Sequence, residues 1–364
     1  MKKIQTAKSL LSTAGIAGAA AYCCLRSAEV SVEVSCALER CLKTLIPSLY
    51  AMMIAAVLLV RSGAAGAFGM IADKLSRLIF GMSGEEFSAL TAGIFTGYLS
   101  GAKMLCAMYD EGRLSARRGG LLCGVCYGAG PAFISGCIAS RLYGSPSAGR
   151  IILISTAVAD IIIAFAVSPL LRRSKPSAPH KPKISINSAM LMDCTLSAGS
   201  SMADVCFITA AFAAAVSMLK GTGIIRLTGS CLKVLAPMSS SAEEALSMPL
   251  FDVTAVSELP VQDYTLLPVI CGFTAFGGVC VLLQLSAVCR GKFSILPAVL
   301  MRIAAGVISY FICRALMPHM LDGEAVPAAV VKVSAHSEPS PVPSIMLLIM
   351  TLMLMNSVKQ KKQP

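Results

Sequence analysis

Residues 93 to 115 read GIFTGYLSGAKMLCAMYDEGRLS, and residues 272 to 294 read GFTAFGGVCVLLQLSAVCRGKFS. These two apolar stretches align without a gap, 179 positions apart. Identical residues fall on one another at three places: Gly93 on Gly272, Gly112 on Gly291 and Ser115 on Ser294. Interrupted hydrophobic segments at matching places in two halves are typical of secondary transporters. The pattern therefore predicts two repeated halves with glycine-broken or re-entrant helices.

The composition places the chain in a membrane. Hydrophobic residues make up 56% of the 364 residues and charged residues only 14%, and the mean hydropathy is +0.75. A crossing of the hydrocarbon core needs about 20 apolar residues. Eight such runs lie near 4–25, 44–62, 87–109, 119–140, 150–171, 200–219, 264–288 and 294–317. We therefore expect an all-α, polytopic integral membrane protein in contact with lipid, and a soluble protein is excluded.

Basic residues predict the orientation of the chain. They collect at the N-terminus, between residues 172 and 183, and at the C-terminus, whereas the segment 239–263 is acidic. Cytoplasmic loops of membrane proteins are enriched in Lys and Arg. The N-terminus, the 172–183 segment and the C-terminus are thus expected in the cytoplasm, and the acidic segment on the other side. The net charge of +12 then reflects topology and requires no nucleic-acid partner.

Three arginines, Arg113, Arg117 and Arg118, would lie on the wrong side if every apolar run crossed the membrane. A re-entrant hairpin over 87–109, entering and leaving from the cytoplasm, would return them to the basic side. Irregular backbone at membrane depth is tolerated where protein or a water-filled cavity satisfies its polar groups. The charge pattern and the glycine pattern therefore favour the same hairpin.

The chain is expected to divide into five segments. They are an N-terminal transmembrane helix with an amphipathic connector (1–43), a first transmembrane half (44–171), a basic Pro-rich cytoplasmic linker (172–187), a second half (188–317) and a polar linker with a short hydrophobic tail (318–364).

Ionisable residues within apolar runs are the first candidates for a site. Lys103 lies in SGAKM, where an ammonium costs about 2.5–3.5 kcal/mol on insertion scales. It is predicted to meet an anionic substrate; the alternative is snorkelling or an ion pair. Asp160, within an equally apolar run, is either the partner of Lys103 or an ion-coupling carboxylate. Gln284 would hydrogen-bond a substrate or join two helices.

Glycines and neighbouring residues in three motifs are the second group of candidates. Unwound backbone at a glycine can present N–H or C=O groups to a ligand, and close helix packing is the alternative. The candidates for substrate binding are Gly97, Tyr98, Gly101, Gly128, Gly130, Pro131, Gly277 and Gly278.

Motifs of nucleotide hydrolysis and of common enzymes are missing from the sequence. It contains no GxxxxGK[ST] loop, GxSxG elbow or HExxH helix. Cys123-x-x-Cys126 has the spacing of a metal or redox pair, but none of the three histidines lies near it. We therefore expect no enzyme activity, no catalytic residue, no metal and no cofactor.

Several motifs occur in an order seen in one family. They are IPSLY (46–50), GYLSGAK (97–103), CYGAGPAFISG (126–136), LYGSP (142–146) and AFGGVCVLLQ (275–284). The chain resembles the YlbJ-type sporulation integral membrane proteins, which carry the nucleoside-recognition or Gate domain. The resemblance runs from about residue 10 to residue 317. It departs from the family pattern at Leu99 (Pro in the family), Tyr127 and Gly128 (both Asn), Cys280 (Ser) and Leu282 (His).

The resemblance implies a task in endospore formation. The expected function is secondary transport of a small anion, dipicolinic acid, from the mother cell towards the forespore, in the cell membrane or forespore membrane. The alternatives are a Gate-domain transporter of nucleosides or divalent cations, and a non-transporting scaffold of the spore membrane. A homo-oligomer and spore-membrane partners stay open.

Overall fold

The computed structural model describes residues 2–174, 187–232, 240–259 and 264–321. These residues are almost entirely helical and contain no strand, in agreement with the predicted all-α class. Four helical segments are long and apolar enough to cross a membrane: Pro146–Arg172, Ser188–Gly221, Tyr264–Cys289 and Leu296–Met320. Most of the basic linker and the predicted hydrophobic tail lie outside the described residues.

Fifteen α-helices follow one another along the described chain. They are α1 (Lys2–Leu25), α2 (Ser27–Arg40), α3 (Ile46–Arg61), α4 (Ala64–Ile79), α5 (Gly84–Thr96), α6 (Ser100–Asp110), α7 (Ala116–Val125), α8 (Pro131–Phe133), α9 (Pro146–Arg172), α10 (Ser188–Gly221), α11 (Ile224–Leu232), α12 (Ser240–Phe251), α13 (Leu267–Phe276), α14 (Gly278–Cys289) and α15 (Leu296–Met320). The π-helical segments Cys41–Leu45 and Ile134–Tyr143 and the 3₁₀ segments Val253–Glu258 and Tyr264–Leu266 join some of them.

Four of the eight apolar runs correspond to the long helices α9, α10, α13 with α14, and α15. The run 4–25 lies in α1 and the run 44–62 in α3, which has 16 residues. The run 87–109 is divided between α5 and α6. The run 119–140, which looks continuous in the sequence, is also interrupted, because the chain leaves the helical path between Cys126 and Gly130.

Helices α5 and α6 form a hairpin with both ends at the same end of the molecule. The helices pack against each other, and Arg113, just after α6, forms an ion pair with Glu85 in the first turn of α5. With 13 and 11 residues, the helices are about 20 and 16 Å long at 1.5 Å per residue. Both are shorter than the roughly 30 Å of a bilayer core. The predicted fold-back over 87–109 is therefore present in the structure.

A buried ion pair fixes the start of this hairpin. Arg118 Nε and Nη2 each lie 2.7 Å from a carboxylate oxygen of Glu86, and both side chains are fully buried. Arg118 also donates to Leu171 O and Ser174 Oγ at the end of α9 and to Gly81 O before α5. The starts of α5 and α7 and the end of α9 thus meet at one end of the molecule.

We call this the basic end, defined by Arg113, Arg118, Arg172 and Lys292. Lys292, in the turn between α14 and α15, lies there because it pairs with Asp110 at the end of α6. Arg113 and Arg118, after the hairpin, and Arg172, at the end of α9, therefore lie at the same end of the molecule, as the charge pattern predicts.

The opposite end is defined by Tyr143, Pro146 and Tyr264. The rings of Tyr143 and Tyr264 stack there with centroids 5.2 Å apart. From the predicted acidic segment, Asp252 caps the short Val253–Glu258 helix and lies 3.8 Å from Arg40. The side chains of Glu243, Glu244, Glu258 and Asp263 lie outside the described residues.

Candidate functional site

Three interruptions of helical backbone meet between the two ends. The first is the tip of the α5–α6 hairpin at Gly97 (φ 111°), and the second is the stretch from Cys126 to Gly130 between α7 and α8. The third is Gly277 (φ 87°), between α13 and α14. Glycine readily adopts positive φ values. The turns at Gly97 and Gly277 therefore use residues that the sequence analysis had singled out.

Two tyrosines connect the interruptions. Tyr98 Oη donates to Thr274 O at 2.8 Å, and Tyr127 Oη donates to Phe276 O at 3.3 Å. Their rings lie 4.8 Å apart between centroids. Carbonyls near the end of α13, left without helical partners, thus receive hydrogen bonds from the other two interruptions.

Close packing explains several of the predicted glycines. A Cβ on Gly101 would lie 2.4 Å from Cys126 O, and a Cβ on Gly128 would lie 2.9 Å from Ile94 Cα. Gly130 (φ 73°) approaches Gly97, and Pro131 begins α8. A Cβ on Gly278 would lie 2.9 Å from Val253 N. These glycines and Pro131 bring the three interruptions together. Gly97 and Tyr98 instead line the inner cavity described below.

Gly277→Ala tests whether the junction tolerates a side chain at this turn. The new Cβ would lie 2.0 Å from Tyr127 Oη, and the φ of 87° is unfavourable for alanine. We expect a loss of about 2–4 kcal/mol in free energy of unfolding, from backbone strain and overpacking together. Gly112→Ala is the matched control, because Gly112 has φ 70° but open space around it. Equal losses in both variants, measured by SDS titration in mixed micelles, would contradict the contact at Tyr127.

A large cavity at this junction opens towards the basic end. This mouth cavity, about 660 Å³, lies between α6, α10 and α14. Lys103 lies in its wall and donates from Nζ to Ser201 Oγ on α10. The other charged residues of the lining are Asp110, Asp204, Arg290 and Lys292. Lys103 therefore faces a cavity whose volume suits a small molecule.

A second, inner cavity of about 70 Å³ lies on the far side of Leu99. Its wall includes Gly97, Tyr98, Thr209 and Asp252. Three residues line both cavities: Leu99, Val205 and Gln284. Gln284 is buried, and its Nε2 donates to Thr209 Oγ1 at 3.3 Å. The two cavities are therefore neighbours, and the one nearer the basic end is the larger.

Asp160 lies away from both cavity walls. Its Oδ1 accepts from Arg302 Nη1 at 2.7 Å, with both side chains buried. The predicted pairing of Asp160 with Lys103 is therefore corrected: the partner of Asp160 is Arg302. The guanidinium carbon of Arg302 lies 4.8 Å from the centre of the Tyr127 ring. Arg302 Nε and Nη2 have no hydrogen-bond partner among the described residues.

Sequence reasoning missed several residues of this region. Arg302 could have been found as an arginine in the apolar run 294–317. The polar residues that α10 adds to the cavity walls, Ser201, Asp204 and Thr209, carry no motif. Their proximity to Lys103 and Gln284 depends on how α10 packs against the rest of the bundle.

Cys123 and Cys126, which have the spacing of a metal or redox pair, contact different parts of the protein. Cys123 Sγ lies 3.8 Å from Cys289 Sγ, whereas Cys126 Sγ lies 3.9 Å from Glu86 O. Within the ranges that the structure describes, no group of three or more His, Cys, Asp or Glu residues is placed to bind a metal ion.

Neither the known protein families, nor the curated proteins, nor the solved structures contain a match to this chain. The functional assignment therefore depends on the geometry of the junction and its two cavities.

Proposed function

We propose that this protein is a secondary transporter of a small organic anion, with its substrate site in the mouth cavity. The observation that carries the proposal is Lys103 in the wall of this cavity, beside the junction of three interrupted helices. Discontinuous helices that meet around a site within the membrane are a recurring design of secondary transporters. A lysine within such a segment is a functional-site hypothesis by default.

The charge of the mouth cavity favours an anion. Its lining holds three cationic side chains, Lys103, Arg290 and Lys292, against two carboxylates, Asp110 and Asp204. Lys292 pairs with Asp110 at the rim. Lys103 lies deeper and is held by the hydroxyl of Ser201, which leaves its ammonium with further donors for a carboxylate.

The packing of α6 and α14 supports part of the predicted repeat. Helices α6 and α14 run in the same direction, since Cys106 Sγ contacts Val288 O and Asp110 pairs with Lys292. The turns that follow them contain Gly112 (φ 70°) and Gly291 (φ 75°), the pair aligned in the sequence. The relation is limited to α6, α14 and the segments that follow them, because α5 begins at the basic end whereas α13 begins beside Tyr264 at the opposite end.

Helices α7 and α15, which follow these turns, also pack against each other in the same direction. A Cβ on Gly119 of α7 would lie 2.3 Å from the ring of Phe293, and one on Gly124 would lie 2.5 Å from Met301 Sδ. Helix α7 thus runs beside α15 in the same direction.

The arrangement of the two cavities fits alternating access. The mouth cavity reaches the basic end, which the positive-inside rule assigns to the cytoplasm. Beyond Leu99, Val205 and Gln284 the inner cavity is too small for a substrate of several carbon atoms. In this conformation a substrate would enter from the cytoplasm and stop at Leu99, with the α5–α6 hairpin as a re-entrant element beside it.

The resemblance to the YlbJ-type family supplies the identity of the proposed substrate. We propose dipicolinate, carried during spore formation from the mother cell towards the forespore. The matching residues Gly97, Tyr98, Lys103 and Gln284 support this choice, because all four line the cavities. The nucleoside alternative predicts uptake that does not depend on Lys103. The scaffold alternative predicts a function that survives the loss of Lys103.

Uptake of labelled dipicolinate into proteoliposomes tests the proposal. We expect wild-type protein to transport dipicolinate and Lys103→Ala to reduce the initial rate by at least 10-fold, the effect of about 1.4 kcal/mol of lost binding. Lys43→Ala is the control, because Lys43 is exposed and lines neither cavity.

Three outcomes would contradict the proposal. Equal rates in Lys103→Ala and wild type would remove Lys103 from the site. Uptake of a nucleoside in place of dipicolinate would select the nucleoside alternative. Correctly inserted wild-type protein that transports neither compound would favour the scaffold.

A further inference from the structure

Helix α4 exposes an apolar arc to its surroundings. The arc consists of Phe68, Ile71, Leu75 and Leu78, which are 48%, 85%, 61% and 73% exposed. Their spacing of three and four residues places them on one face of the helix. Lys74 is exposed beside them. Helix α4 packs against α5 through Gly69 on its other side and through Phe68, whose ring stacks on that of Phe87 with centroids 6.4 Å apart.

Three observations place α4 at the basic end. It begins after Arg61, at the end of α3, which lines a cavity together with Lys103 and Ala107 near the end of α6. Its middle crosses the start of α5, where a Cβ on Gly69 would lie 2.5 Å from Gly84 O. Its last turn receives hydrogen bonds from Arg172 to Leu78 O and Ile79 O.

These contacts fix the direction of α4. With 16 residues, the helix is about 24 Å long. If it ran along the membrane normal, its two ends would lie at very different depths in the membrane. Its end instead contacts Arg172, and its start follows Arg61, which lines the same cavity as Ala107 near the end of α6. Helix α4 therefore stays close to this end of the molecule from its start to its end.

We infer that α4 lies in the plane of the membrane at the basic end, as an interfacial helix bound to an anionic lipid surface. Phe68, Ile71, Leu75 and Leu78 would enter the boundary between headgroups and acyl chains, the position typical of amphipathic helices with one apolar face. The Lys74 ammonium would reach lipid phosphates, since lysine side chains extend towards the interface.

Electrostatics at the basic end favours anionic lipid as the partner. Arg172 and Arg173 are exposed, and Arg172 contacts the end of α4. Each basic residue near a surface of anionic lipid contributes about 1 kcal/mol of attraction. Asp73 on α4 is already engaged: Arg77 pairs with it at 2.8 Å and, through this hydrogen bond, lowers the pKa of the Asp73 carboxyl.

The contact of Asp73 with α5 links the interfacial helix to the hairpin. Gly84 N donates to Asp73 Oδ1 at 2.7 Å, so this carboxylate also satisfies a free N–H at the start of α5. The hairpin that carries Lys103 thus begins on a helix held at the membrane surface.

Single tryptophans provide the test, because the chain contains no tryptophan. We would place one at Phe68, Leu75 or Leu78, reconstitute the full chain, and measure its depth by quenching with lipids brominated at different acyl positions. An interfacial α4 predicts shallow depths that agree within a few ångströms. A crossing helix predicts about 15 Å between positions 68 and 78.

Helix α15 supplies the matched control. Leu300→Trp and Phe311→Trp occupy exposed positions on a helix long enough to span the membrane, and they should differ in depth by about 16 Å. A depth difference along α4 as large as this control would overturn the inference. Absence of quenching at every α4 position would also overturn it, and would indicate that protein covers the arc.

The preference for anionic lipid is measured in the same vesicles. In Leu75→Trp, quenching by brominated phosphatidylglycerol is expected to exceed quenching by brominated phosphatidylcholine about twofold. Adding Lys74→Gln should bring this ratio to near one. An unchanged ratio would exclude Lys74 from lipid binding. None of these readouts depends on transport, so they separate this inference from the proposed function.

Discussion

Arg118→Ala is expected to destabilise the protein by about 3–5 kcal/mol, because it leaves the buried Glu86 carboxylate without a counter-charge. The same change removes hydrogen bonds to Leu171 O, Ser174 Oγ and Gly81 O, three carbonyl or hydroxyl groups at the basic end. Titration with SDS from mixed micelles measures the free energy of unfolding. Thiol labelling provides a second readout, since most of the cysteines with described side chains are buried.

Two further variants separate the ion pair from its surroundings. Glu86→Gln keeps the size of the side chain but removes its charge, and we expect a similar loss because Arg118 then stays buried and unpaired. Arg26→Ala is the control: its pair with Glu29 is exposed at 61% and 54%, and such pairs contribute about 0–1 kcal/mol. Unfolding of Arg118→Ala at the wild-type SDS concentration would contradict the role given to this network.

The hairpin that Arg118 holds was predictable from the sequence. Three arginines after an apolar run, together with the glycines within that run, favoured a fold-back over a crossing, and α5 and α6 do turn at Gly97. The ion pair with Glu86 was not predictable. Glu86 and Arg118 are 32 positions apart, and their contact depends on the tertiary packing of α5 against α7 and α9.

The candidate site was predictable to a similar degree. Polar or glycine residues in apolar runs identified Gly97, Lys103 and Gln284, and the family resemblance added Tyr98; the structure brings all four to the cavity walls. Gly101 and Gly128 instead serve close packing, which glycine in a membrane helix serves equally well. The contribution of α10 could not be predicted, because Ser201 and Thr209 are unremarkable in a helix of small residues.

Replacing one member of the Asp160–Arg302 pair is the second change with a large expected effect. Asp160→Asn leaves the Arg302 guanidinium buried without a counter-charge, and Arg302→Gln does the same to the carboxylate. We expect each single variant to lose about 3–5 kcal/mol of stability. The double variant Asp160→Asn with Arg302→Gln buries no charge, so we expect it to recover more than half of either loss.

The double variant also separates the two roles of Asp160. As a positioning pair, Asp160 and Arg302 support the Tyr127 ring, and Tyr127 contacts Tyr98 at the inner cavity. In that case the folded double variant transports with its dependence on the driving ion unchanged. If Asp160 is the ion-coupling carboxylate, the double variant still binds substrate but loses the ion dependence of uptake. Single variants as stable as wild type would refute the buried pair itself, because an uncompensated charge at this depth must carry a cost.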